Sequence, residues 1–298
     1  MNSSIPNIIY ASFLNILFFL YYMDIVSFGG AGFLMSYYWG VCKVLQSRFN
    51  FNNTTFHGIS AGTFACMILC FDIDAEKVYE YMLKHDQINL SSGYELYVNT
   101  LNKFIPPDEE WKKHGHKLNY YASRCCKKIL KLEKFTNIYN KKDAYKLILA
   151  SSHLPIVCGY KPIKYKNNYY YDGSLTSNFS SINSFSISVN KNLKSDIMPS
   201  ISIPYSWIVS PPSKDILQQF YFLGIHDTQS YFNKKSLILY NGSSSLELQN
   251  SWTNMIEKSN KRMNNVFRIE LVVFVITASM FTYYINKKFN IIKRLTSF

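Results

Sequence analysis

Ser60 is the residue best placed for covalent chemistry. It stands in Gly58-Ile59-Ser60-Ala61-Gly62, a G-x-S-x-G run between a strand pattern ending near Phe56 and His57 and an apolar helical stretch from about 61 to 71. Small residues on either side permit a bend sharp enough to lift a serine hydroxyl out of a sheet end. The other reading of such a serine is a helix N-cap in a glycine-rich turn. A second stretch, Gly29-Gly30-Ala31-Gly32, follows Ile25-Val26-Ser27-Phe28 and precedes a helical pattern. Glycines allow close backbone approach, and a helix start offers unpaired N–H donors. Such a loop can stabilise a phosphate or an oxyanion. It fails as a dinucleotide-binding signature, since Met35 stands where the third glycine would fall, and no Gly-Lys-Ser/Thr makes it a P-loop. The third stretch is Tyr171-Asp172-Gly173-Ser174. Alone, Asp-Gly after a strand reads as a turn. Its carboxylate is also a candidate proton acceptor.

The elements that must position these residues alternate. A strand at 25–28 leads to a helical pattern over about 33–47, with Leu34, Tyr38, Val41 and Leu45 on one face. A second strand and the 61–71 helix follow. Helices are expected at about 74–85, 117–132 and 143–151, and strands at 155–158 and 169–171. This order argues for an α/β fold with a mainly parallel sheet and flanking helices. From about 180 to 265 the chain turns Ser/Asn-rich, with Pro199, Pro204, Pro211 and Pro212, and reads as a poorly patterned extension (181–265).

Composition narrows the function classes. The net charge is +13, and Lys103 to Lys146 alone holds twelve Lys/Arg against five Asp/Glu. A basic face attracts nucleic acid or an anionic membrane. No zinc-finger spacing, RNP motif or arginine-rich helix accompanies the charge, so no nucleic-acid partner is expected. The six cysteines show no C-x-x-C or metal-ligand spacing. No loop of closely spaced acidic residues suits calcium, and no metal or other cofactor is expected. Two hydrophobic ends remain. Residues 1–23 carry no charge before Asp24. Leu271 to Ile285 is uncharged and is followed by Lys287, Lys288, Lys293 and Arg294. The expectation is a hydrophobic N-terminal segment (1–23), a membrane-anchor helix (266–286) and a basic tail (287–298), making a membrane-associated, single-pass protein.

Taken jointly, the glycine loop, the serine elbow about thirty residues on and the Asp-Gly about 110 residues later resemble the patatin-like phospholipase family. Within it the chain resembles the adipose triglyceride lipase and adiponutrin branch. The resemblance covers roughly residues 24–180. Ser27-Phe28-Gly29-Gly30-Ala31-Gly32-Phe33-Leu34, with Gly40 and Val41 beyond it, is similar to the family's S-F-x-G-x-G-F-L-x-x-Y-x-x-G-V, and Leu154-Pro155-Ile156-Val157 and Tyr171-Asp172-Gly173 to its later segments. The resemblance implies a three-layer α/β/α catalytic domain (24–180) in which Ser60 attacks an ester carbonyl and Asp172 moves the proton, without histidine. Backbone N–H groups of Gly30, Ala31 and Gly32 would hold the oxyanion. Gly29, Gly58, Gly62 and Gly173 would support the motifs. The implied substrate is a lipid ester at a membrane or droplet surface. Met35 and Ser174 depart from the pattern, each standing where a smaller residue is usual.

Two rivals remain at this level. One is an α/β-hydrolase with a Ser60, Asp172 and His226 triad, a chain order that fold allows. The other is a catalytically inactive lipid-binding protein on the same fold.

Overall fold

Two short runs that are buried almost throughout set the centre of the sheet. β1 (Ile25–Phe28) and β2 (Thr55–Ile59) lie parallel, with Ile25 opposite Thr55 and Phe28 opposite Gly58. Val26, Ser27 and Phe28 of β1 and Phe56 to Ile59 of β2 are buried on both faces, as strands of a covered parallel sheet must be. The computed structural model describes residues 23–84, 90–126, 129–155, 157–176, 184–204, 206–210 and 213–237. All belong to one compact unit, 1–240.

Between β1 and β2 runs α1 (Met35–Arg48), preceded by a 3₁₀ turn at Gly32–Leu34. After β2 come α2 (Gly62–Cys70) and α3 (Ala75–Leu83), the latter capped by Asp74, whose side chain accepts from the N–H groups of Glu76 and Lys77. α4 (Leu90–Phe104) and α5 (Asp108–His114) follow. β3 (Leu118–Cys125) then pairs parallel with β2, from Phe56 opposite Leu118 to Ile59 opposite Tyr121. β4 (Leu130–Phe135) returns antiparallel on the other edge of β3. α6 (Lys141–Ser151), capped by Asn140, leads to the antiparallel pair β5 (Ile163–Tyr165) and β6 (Asn168–Asp172). β7 (Phe185–Ile187) closes the parallel core beside β1. α7 (Ser206–Val209) and α8 (Lys214–Leu237) complete the described chain. The fold is mixed α/β with parallel central strands.

Several expectations change. Within the expected helix 117–132, Leu118–Cys125 form β3 and β4 begins at Leu130. The six residues Leu118 to Ser123 are buried consecutively, a pattern of a strand covered on both faces and not of a one-sided helix. Pro155, Val157 and Cys158 lie in turns, not a strand. A boundary at 180 does not divide the fold, because β7 pairs with β1 and α8 packs on α1. That packing is close: a Cβ on Gly40 would lie 2.0 Å from the Tyr221 carbonyl oxygen, and one on Gly224 would lie 2.1 Å from that of Tyr37. The Tyr37 hydroxyl donates to Asp227 at 3.1 Å, and Tyr79 stacks on Tyr221 with centroids 3.7 Å apart.

The single-pass expectation is corrected. Among the described residues no helix is long and apolar enough to cross a membrane. α8 has 24 residues, but Lys214, Asp215 and Asp227 lie along it and its inner face is used on α1. The hydrophobic segment 1–22, the expected helix 266–286 and the tail 287–298 lie outside the described residues.

Candidate active site

The register of β3 explains why two residues 112 positions apart meet. β4 pairs with Tyr120 and Tyr121, which also pair with β2, so β2 and β4 occupy opposite edges of β3. β4 also faces Ala122 to Arg124, which pair with β6. β6 therefore shares the edge that β2 uses. β2 runs parallel to β3 and stops at Ile59, opposite Tyr121; β6 runs antiparallel and stops at Asp172, opposite Ala122. The two strands arrive end to end. The residue after the first is Ser60 and the last residue of the second is Asp172.

Ser60 adopts φ +55°, a left-handed conformation that costs a non-glycine residue about 1–3 kcal/mol. Its surroundings hold it there. Its N–H donates to Ser151 Oγ at 2.9 Å, and that hydroxyl donates to the Tyr121 carbonyl at 2.6 Å. Its carbonyl accepts from Thr63 N–H at 3.0 Å and Thr63 Oγ1 at 2.6 Å. Gly62 brings the first turn of α2 against the end of β1, where a Cβ would lie 2.3 Å from the Phe28 oxygen. Gly58 and Gly173 are equally tight, with Cβ positions 2.6 Å from Thr63 Cα and 2.4 Å from the Tyr121 oxygen.

Ser60 Oγ donates to Asp172 Oδ2 at 2.6 Å. The other carboxylate oxygen accepts from Ser174 N–H at 2.8 Å and Ser174 Oγ at 2.6 Å. Asp172 N–H donates to the His153 carbonyl at 2.9 Å, and its carbonyl accepts from Ser123 Oγ at 2.7 Å. Asp172 is 3% exposed. Burial raises its pKa above the usual carboxylate range, opposed by the hydrogen bonds from Ser174 and Ser60. A carboxylate made more basic in this way is a better acceptor for a serine proton.

The glycine loop lies against the serine. Gly29 N–H is fixed to the Ile187 carbonyl of β7 at 3.0 Å. A Cβ on Gly30 would sit 3.4 Å from Ser60 Cβ, and Gly32 has φ +52°. Among the described residues nothing accepts from the N–H groups of Gly30, Ala31 or Gly32. Free donors beside a hydroxyl are what a developing oxyanion requires. A cavity of about 240 Å³ opens over the loop, Ser60, Asp172 and Ser174. Its walls include Phe33, Met35, Tyr97, Leu154, Val157 and Ile208, so Met35 contributes apolar wall.

The histidines take other places. His226 is on α8, with Nδ1 3.3 Å from Asp227, and does not line the cavity. His57 Nδ1 lies 2.8 Å from the Tyr121 hydroxyl, and burial, with Lys134 nearby, pushes its pKa down to about 4. No imidazole bonds Ser60 Oγ or the Asp172 carboxylate among the described residues. Sequence reasoning did not find Ser151 or Ser123. Ser123 is on β3 and Ser151 ends α6; both are ordinary serines that bond to the backbone near the junction of β2, β3 and β6, and they carry no sequence signal. Ser174 was visible only as a departure from a pattern.

No family model matches the chain. Over 187 residues it is 26% identical to the probable lipid hydrolase 463L of Invertebrate iridescent virus 6, a match covering 53% of this chain and 62% of that protein. The matched stretch thus spans under two thirds of the relative. Among solved structures the chain is similar to VipD from Legionella pneumophila, with a TM-score of 0.44 and 11% identity over 72% of this chain and 67% of that one. Neither comparison points to the adipose triglyceride lipase and adiponutrin branch. The chain is thus similar to a probable lipid hydrolase, and its mixed α/β fold seats a serine and a carboxylate under one largely apolar cavity.

Proposed function

We propose that this chain is a patatin-like serine lipid acyl hydrolase that cleaves carboxylic esters with Ser60 and Asp172 alone. The observation that carries the reading is the 2.6 Å bond from Ser60 Oγ to Asp172 Oδ2, made on a strained bend beside N–H donors that have no acceptor among the described residues. Ser60 Oγ attacks the ester carbonyl carbon while its proton passes to Asp172 Oδ2. The N–H groups of Gly30, Ala31 and Gly32 hold the oxyanion, each such donor contributing about 2.7–4 kcal/mol at the transition state. Collapse breaks the C–O bond to the alcohol, which leaves with the proton from Asp172. Water then attacks the acyl-Ser60 ester by the same route and releases the acid. Apolar walls suit an acyl chain, and the similarity to a probable lipid hydrolase supports a lipid ester as substrate.

The test is release of fatty acid by the full chain from phosphatidylcholine, lysophosphatidylcholine and triacylglycerol dispersions. Wild type should release acid from at least one class, and Ser60→Ala should reduce release to background. His226→Ala should stay within about threefold of wild type, because His226 is outside the cavity; a triad member would cost orders of magnitude. Equal release by wild type and Ser60→Ala would overturn the proposal. No release from any class would favour a lipid-binding protein on this fold.

A further inference from the structure

Asp172 has two carboxylate oxygens with different partners. Oδ2 faces Ser60 Oγ, and Oδ1 is held by both the N–H and the hydroxyl of Ser174. We infer that Ser174 is the positioning residue of this site: its hydroxyl pins Oδ1, which fixes the carboxylate plane and turns Oδ2 toward Ser60. The inference rests on the proposed function and deepens it.

The chemistry of the groups makes the direction of the bond unambiguous. An ionised carboxylate only accepts, so the Ser174 hydroxyl must donate. At 2.6 Å it is a short, charge-assisted bond. A glycine or alanine at this position keeps only the amide, which leaves Oδ1 with one tether instead of two. Ser174 is also exposed at the cavity surface and lines it, so its side chain is not needed to fill the core. A Cβ on Gly30 would lie 3.4 Å from Ser174 Cβ and the same distance from Ser60 Cβ. The hydroxyl therefore sits between the carboxylate and the glycine loop, beside the reacting atoms without being one of them.

Both Ser174 bonds favour the ionised form of a carboxyl that burial otherwise pushes toward its neutral form. Other titratable groups around the carboxyl stay neutral near pH 7. Burial pushes the Cys158 thiol up to about 12 and the Tyr121 phenol also up to about 12. Tyr94 and Tyr97 on α4 are raised further, and burial lowers His57 on β2 and His153 on the loop after α6. No Lys, Arg or Glu lines the cavity among the described residues. The ionisation of Asp172 is thus left mainly to burial and its hydrogen bonds.

The test is the pH profile of kcat/KM for p-nitrophenyl butyrate hydrolysis by the full chain, as wild type, Ser174→Ala, Ser174→Gly and Ser174→Thr. Loss of a donor to the ionised form raises the pH at which the base gains its proton. The acid limb should move up by about half to one pH unit in the Ala and Gly variants, equivalent to a threefold to tenfold loss on that limb. KM should be unchanged, and the alkaline plateau of kcat should also fall in the Ala and Gly variants, because a carboxylate held by one bond fewer presents Oδ2 to Ser60 less often. Threonine keeps the hydroxyl and should restore the wild-type limb. At neutral pH the Ala and Gly variants should melt no more than a few degrees below wild type, the linkage consequence of that shift, and all four should be fully folded at the assay temperature, which removes folding from the comparison. An acid limb that does not move in an active, folded Ser174→Ala, or one that Thr fails to restore, overturns this inference alone. A wild type with no ester hydrolysis overturns the proposed function and this inference with it.

Discussion

Asp172→Asn should lower ester hydrolysis by about 10²–10⁴-fold, the range a positioned general base supplies, while leaving the protein at least as stable as wild type. The substitution keeps the shape of the group. The amide oxygen can still accept from Ser174 N–H and Oγ, and the NH₂ can donate to Ser60 Oγ. No atom remains to take the serine proton. The stability effect follows from burial. The folded-state pKa of Asp172 is raised, chiefly by desolvation, so folding favours its neutral form. Below the unfolded pKa, about 3.9, both states are protonated and the carboxyl brings no penalty. As pH rises from there through the folded pKa, ionisation increasingly favours the unfolded chain, and wild type loses that part of its stability. Asparagine does not titrate. The melting temperature of Asp172→Asn should therefore match or exceed that of wild type at pH 7–8, with the difference closing as pH falls toward 4. A variant melting well below wild type at neutral pH would contradict this account of the site.

Gly62→Ala should damage both fold and activity. The added Cβ would lie 2.3 Å from the Phe28 oxygen and 2.5 Å from the Gly29 oxygen, both backbone atoms at the end of β1. No flexible side chain is there to move aside. The first turn of α2 must back away, and Thr63, which holds the Ser60 carbonyl through two bonds, goes with it. Overpacking of this kind costs about 1–3 kcal/mol or more. At roughly 2–4 °C per kcal/mol for a chain of this size, the melting temperature should fall by several degrees. Activity should fall further than stability, because a displacement of about 1 Å at a reacting group can cost about a hundredfold. A Gly62→Ala protein with unchanged melting temperature and hydrolysis would show that the elbow is looser than the geometry indicates.

The serine elbow was legible because its geometry requires small residues, and small residues at fixed spacing are visible in a sequence. Gly58, Gly62 and Gly173 each sit where a Cβ would strike backbone. The strands β1 and β2 were legible as short apolar runs before glycine turns. What joins Ser60 to Asp172 was not, because it depends on the pairing register of β3. The expected helix over 117–132 hid that strand, and a wrong element there removes the edge on which β2 and β6 meet. Pairing partners far apart in sequence leave no local signal. The same holds for α8: Gly40 and Gly224 permit its close approach to α1, yet Gly224 marks no motif and Gly40 read only as part of the glycine-loop stretch, with nothing to say that a second helix packs there. Its Ser/Asn-rich approach read as loosely specified chain. Histidine was the reverse case. His226 fits a triad by chain order, but it lies on α8 beside Asp227 and away from the cavity.

If Ser60 is an activated nucleophile, an electrophile that reacts only with such serines should capture it. The full chain should be treated with a fluorophosphonate, digested, and the adduct located by mass spectrometry. One adduct per chain on the peptide containing Ser60, lost in Ser60→Ala and strongly slowed in Asp172→Asn, is the expected result. Failure of wild type to react, or equal labelling of Ser60→Ala at some other residue, would contradict the account.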